Sequence, residues 1–73
     1  MAKAERVLSM YDRLLDGKMI RKTEEAVRFH VNTRTIQRDL DDIRAHLSEE
    51  RHENMELVYD RKNMAYVIRK NSK

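Results

Sequence analysis

Cysteine and proline are missing from this chain of 73 residues, and there is a single glycine. Without cysteine there is no disulfide framework and no thiolate metal site. One glycine cannot build a glycine-rich phosphate loop. Aromatic residues are few, one Phe and three Tyr, which argues against recognition of single-stranded RNA by stacking. No apolar run approaches the ~20 residues of a membrane span. The polar start lacks the apolar centre of a signal peptide, so the expected location is the cytoplasm. A chain this short is expected to form one domain with a modest core.

What the chain has in quantity is charge, 40% of its residues, with a net charge of +3. Its distribution is uneven. Residues 1–22 carry +3, residues 23–47 carry −1, residues 48–60 carry −4 and residues 61–73 carry +5. The basic ends become informative only if the fold brings them beside one another. Scarce Gly and absent Pro favour helix, while Val, Ile and Tyr near the end allow strand.

Hydrophobic periodicity predicts a helix over about 4–16, with Val7, Leu8, Tyr11, Leu14 and Leu15 on one face and Met10 at its edge. Gly17 suits a left-handed cap after it. Met19-Ile20 is short enough to be only a brief strand. A second helix is expected over about 24–29, capped by Thr23, with Glu24 and Glu25 at the positive end of its dipole. Ala26 and Phe29 should face inward. His30-Val31-Asn32 makes a sharp connection, with His30 a candidate for positive φ.

Asn32 then caps a third helix over about 33–47, whose Ile36, Leu40, Ile43 and Leu47 recur at the helical period. Residues 48–54 read as a charged loop. Over about 55–69, Met55, Leu57 and Tyr59, then Met64, Tyr66 and Ile68, alternate on either side of the polar turn Arg61-Lys62-Asn63, where Asn63 tolerates a positive backbone angle. Two helices joined by a tight turn form a helix-turn-helix, and a hairpin after it is a wing. The expected fold is therefore α+β, a winged helix-turn-helix of three helices and a two-stranded β-hairpin wing over residues 1–73.

The polar first half of the third helix points to a role. A helix with a buried stripe and a cationic N-terminal face can lie in the major groove of DNA. Thr33, Arg34, Thr35, Gln37 and Arg38 are the candidates to enter it. Arginine pairs with the O6/N7 edge of guanine and glutamine with the N6/N7 edge of adenine. Thr hydroxyls and the free amides after Asn32 can bind phosphate. Asp39, Asp41 and Asp42 would repel phosphate, so the N-terminal end should insert. Lys22, Arg61 and Lys62 are expected phosphate contacts.

The plainer alternative is a solvated face laced with pairs such as Arg38–Asp42. A rival function is a protein-interaction module without direct DNA binding, which gains weight if Arg34 and Arg38 are held in internal ion pairs. Catalysis is not expected. His30, His46 and His52 lack metal-ligand spacing, and Ser9, Ser48 and Ser72 lie in no nucleophile motif. No cofactor is expected.

The run Thr33 to Arg44, TRTIQRDLDDIR, resembles the N-terminal winged helix-turn-helix of bacterial WYL-domain transcriptional regulators, close to the DeoR type. The resemblance extends to RVLSMYDRLLDGKMIRK near the start and LVYDRKNMAYVIRK near the end. It implies binding to double-stranded operator DNA, commonly as a homodimer, with ligand sensing left to a following WYL domain. On that basis these residues are an excised DNA-binding domain or a short stand-alone regulator, with no small-molecule ligand of their own.

Four positions depart from that pattern. Glu25 stands where an inward Leu is usual, Val27 where a polar residue is usual, His30 for a turn Gly or Asn, and Ala65 for a Gly. The first two suggest a second helix that is rotated, frayed or in contact with something else.

Overall fold

The computed structural model describes residues 2–49 and 54–70. In order they form α1 (Lys3–Leu15), α2 (Lys22–Phe29), α3 (Thr33–Glu49), β1 (Met55–Asp60) and β2 (Ala65–Lys70). The strands pair antiparallel, with Met55 opposite Lys70 and Asp60 opposite Ala65. Three helices followed by a hairpin is the α+β layout of a winged helix, as the periodicities predict. The third helix runs two residues further than expected, and 50–53 of the expected loop lie outside the described residues. No helix among the described residues is long and apolar enough to cross a membrane.

The buried row of α1 is Arg6, Met10 and Leu14, four residues apart. Met10, expected at the edge, is the centre of the contact, while Leu8 and Leu15 are 58% and 47% exposed. One narrow line of α1 meets α3 and β2, so only one row along the helix is covered, with Val7 and Tyr11 packed on its flank. The helix ends as a Schellman motif: Gly17, at φ 84°, donates to the Leu14 carbonyl and Lys18 to that of Arg13.

α2 begins at Lys22, and Arg21 is its N-cap without a side-chain hydrogen bond, so Thr23 is not the cap. The helix starts earlier because Arg21 supplies the extended residue and its carbonyl accepts from the Glu25 amide at 3.0 Å. α2 closes by the same pattern as α1. His30 sits at φ 57°, ψ 44°, and Val31 donates back to the Ala26 carbonyl at 3.0 Å. A left-handed conformation costs a non-glycine residue roughly 1–2 kcal/mol, and the closed turn holds it there. Asn32 caps α3 as expected, its Oδ1 accepting from the Thr35 amide at 2.9 Å.

Ile36, Leu40, Ile43 and Leu47 are all at most 2% exposed and pack with Met10, Leu14, Ile20, Leu57 and Tyr66 in one core. Burying such side chains contributes about 1.5–3 kcal/mol each. Ile20 is the brief strand expected: it forms an isolated bridge with Tyr66, through hydrogen bonds of 2.9 and 2.7 Å. β2 thus has β1 on one edge and Ile20 on the other. Ala65 and Tyr66, neighbours on opposite faces, are both buried. Tyr59, expected in the core, is 45% exposed and stands edge-on to Tyr66, ring centres 5.0 Å apart.

Two ion pairs, each on a buried carboxylate, fasten α1 to the helix-turn-helix. Arg6 grips Asp39 on α3 through Nε and, at 3.2 Å, through Nη2; the side chains are 9% and 1% exposed. Arg13 grips Glu25 on α2 through both Nη atoms, at 2.8 and 2.7 Å, with Arg28 Nε 3.5 Å from the same carboxylate. Their hydrogen bonds to these carboxylates hold both arginines above their ordinary pKa. Asp39 is therefore not one of the solvated acids of α3. Glu25 keeps the inward position, only 2% exposed, because α1 supplies its cation, and Val27 is 77% exposed. Of the three expected possibilities, rotated, frayed or in contact with something else, the last is the one seen: the Glu25 carboxylate is paired with Arg13 of α1.

The turn of the wing is built on Asp60. Its carboxylate accepts from the Lys62 amide (3.0 Å), the Asn63 amide (3.3 Å) and Asn63 Nδ2 (2.7 Å). With Asn63 held this way, Met64 rather than Asn63 takes the positive φ, 53°. The Asn63 side chain first, then its amide, hold the Asp60 carboxyl below the usual aspartate range. A carboxyl depressed in the folded state contributes order that is complete above its unfolded pKa and lost as pH falls through the folded value. Acidification below about pH 4 should therefore loosen this turn while the apolar core persists. Amide exchange at Lys62 and Asn63 should rise ahead of that at Leu40. Uniform exchange at these sites would show that Asp60 does not hold the turn.

Candidate nucleic-acid interface

Three basic segments that are distant in sequence meet on one side of the fold. Lys22, the first residue of α2, donates from Nζ to Gln37 Oε1 on α3 at 2.9 Å. Arg21 reaches the wing, Nη2 donating to the Asn63 carbonyl at 3.2 Å. The start of α3 therefore lies between the start of α2 and the wing turn. This gives the uneven charge distribution a physical sense, because the basic stretch before α2 and the basic stretch after Asp60 flank the same helix. The acidic stretch 48–60 ends at Asp60, inside the wing turn, where its carboxylate is bonded to Lys62 and Asn63, and its residues 50–53 are outside the described residues.

The expected contact residues divide into two groups. Thr33, Arg34 and Arg38 are exposed, and neither arginine makes an ion pair or side-chain hydrogen bond with a described residue. The pair Arg38–Asp42 does not form. Asp42 bonds instead to Lys3 at 3.0 Å, and Asp41 to Gln37 at 3.0 Å with Arg44 at 3.6 Å. Arg61 and Lys62 are also exposed, on the wing turn.

The second group is engaged. Gln37, read as a free base-contacting side chain, accepts from Lys22 Nζ and from the Tyr66 hydroxyl at 3.2 Å, and donates to Asp41. Its amide is used to join α2, α3 and the wing, so it is not presented for an adenine edge. Lys22 is correspondingly a bridging residue with part of its donor capacity spent. Asn32 is occupied as the helix cap, its Oδ1 accepting from both the Thr35 amide and, at 3.3 Å, the Thr35 hydroxyl. Thr35 is partly buried, which leaves its hydroxyl inside the cap rather than on the face.

Arg21, which with Lys18 and Lys22 precedes the second helix as a candidate phosphate contact, is the latch to the wing. Two residues at this junction escaped the sequence reading of the site, Tyr59 and Met64, which line a cleft beside it. The alternating pattern that marked them as core concealed both.

Among the described residues no group of His, Asp or Glu is placed to hold a metal ion. Comparison with protein-family models, with curated proteins and with solved structures finds no match for this chain.

Proposed function

We propose that this domain binds double-stranded DNA and reads its sequence with the first two turns of α3, as the DNA-binding part of a bacterial transcription regulator of the WYL or DeoR type. The observation that carries this reading is the pair Arg34 and Arg38. They are exposed, without ion pairs to any described residue, and set on a helix whose opposite side is buried throughout. Guanidinium groups left unpaired on a rigid helix suit bidentate contacts to guanine. Arg21, Lys22, Arg61 and Lys62 flank them and supply the phosphate contacts that set affinity. Base reading falls to Thr33, Arg34 and Arg38, while Gln37 and Asn32 keep α3 in position.

The rival protein-interaction reading was to gain weight from internally paired arginines, and Arg34 and Arg38 are not paired with any described residue. A salt titration of binding to a mixed-sequence duplex tests the proposal. With four to six phosphate-contacting cations, log K should fall with log salt at a slope of roughly −4 to −5. A flat response, or no binding to duplex at low salt, contradicts it.

A further inference from the structure

Beside the α3 face, the wing and the start of α2 form a cleft of about 300 Å³, lined by Arg21, Lys22, Thr23, Tyr59, Asn63, Met64 and Tyr66. Two of its walls are exposed apolar groups, Tyr59 at 45% and Met64 at 69%. Met64 is held in a left-handed backbone conformation that a side chain of this kind rarely adopts. Strain of this sort persists only where its surroundings fix it. Here the Asp60 clamp on one side and Ala65, buried in the sheet, on the other hold Met64 in place. The Arg21 latch to the Asn63 carbonyl fixes the tip against α2, and the Lys22–Gln37–Tyr66 bonds fix the floor. The cleft is thus prebuilt.

Its chemistry is mixed in a specific way. One side offers a tyrosine ring and a thioether. The other offers a guanidinium and an ammonium, the guanidinium also lying 3.9 Å from the Glu24 carboxylate. Such a cleft suits a flat apolar face that carries an anion a few ångströms away. A nucleotide has that shape, since bases stack on tyrosine and phosphate pairs with Arg or Lys. The cleft is also continuous, through Lys22 and Gln37, with the helix face described above.

We infer that this cleft receives one unpaired nucleotide of a DNA strand, its base against Tyr59 and Met64 and its phosphate at Arg21 and Lys22. The inference rests on the DNA-binding reading. It adds a preference for duplexes with a frayed, flipped or single-stranded nucleotide next to the site.

The test compares a blunt duplex with the same duplex carrying a three-nucleotide 3′ or 5′ extension that contains 2-aminopurine, with deoxyadenosine monophosphate as a separate arm. Wild type should bind one extended duplex at least fivefold more tightly than the blunt one, with quenching of the 2-aminopurine as it stacks. Tyr59→Ala should lose the gain and the quenching, Tyr59→Phe should keep both, and both variants should bind the blunt duplex as wild type does. Equal binding of blunt and extended duplexes by wild type overturns the inference while leaving DNA binding intact. Binding of the mononucleotide with no gain from either extension overturns it in favour of a free-nucleotide site. Failure to bind any of the duplexes overturns the DNA-binding reading and the inference with it.

Discussion

Arg6→Met is expected to remove a large part of the folding stability of the domain. The substitution keeps most of the side-chain volume but strands Asp39, which is 1% exposed and pairs with no other cation among the described residues. Removing one partner of a buried pair costs about 3–5 kcal/mol. Stability runs at roughly 0.05–0.15 kcal/mol per residue, so for a domain of this size that cost is a large part of the total. The double variant Arg6→Met/Asp39→Leu should restore a cooperative urea transition followed by circular dichroism, because an apolar pair of similar volume often replaces a buried ion pair without loss.

The exposed pair Lys3–Asp42 makes the contrast. Lys3→Ala should shift the transition by less than about 1 kcal/mol. If Arg6→Met shifts it no more than Lys3→Ala does, the Arg6–Asp39 contact does not fasten α1 to α3. Arg13 and Glu25 fasten α2 in the same manner, so α1 sets the geometry of both helices of the helix-turn-helix.

Arg34→Ala should weaken binding to a preferred duplex by about 1–3 kcal/mol and relax the preference at one base position. Arg34 makes no internal contact with a described residue, so its removal should leave the urea midpoint unchanged. Any loss of affinity then belongs to the interface. Lys62→Ala is expected to behave differently. It should weaken binding to all duplexes alike and reduce the salt slope by about one, because a cation on the wing turn meets phosphate and not a base edge. Equal, sequence-independent losses in the two variants would place Arg34 on the backbone instead of in the groove. Gln37→Ala separates positioning from reading. It should loosen the junction among α2, α3 and the wing, and so affect both stability and affinity.

The apolar stripe of α3, the sharp turn at His30 and the hairpin were legible because each rests on a local rule: helical period, backbone conformation and strand alternation. The candidate face was legible at Arg34 and Arg38 for the same reason, since their exposure follows from the stripe behind them. What escaped depends on residues far apart in the chain. Arg6 and Asp39 are 33 positions apart, and a charged residue on an apolar row looks like an interruption until its partner is known. Glu25 did announce itself, as an acid in an inward position, but its cation sits on α1.

Gln37 looks like an exposed polar residue from its place on the helix. It becomes a structural bond only because Lys22 and Tyr66 arrive on either side. Tyr59 and Met64 follow the alternation of a buried strand face, yet the helices do not extend over the tip of the wing, and both stay open.

The most direct measurement of the central claim is the selection of bound duplexes from a random pool, run in parallel with wild type and Arg34→Ala. Wild type should enrich a short motif containing guanine, palindromic if the domain acts as a dimer, and Arg34→Ala should lose the preference at one guanine while keeping the rest. No enrichment by wild type at low salt, or the same motif from both proteins, would contradict the account of α3 as the reading helix.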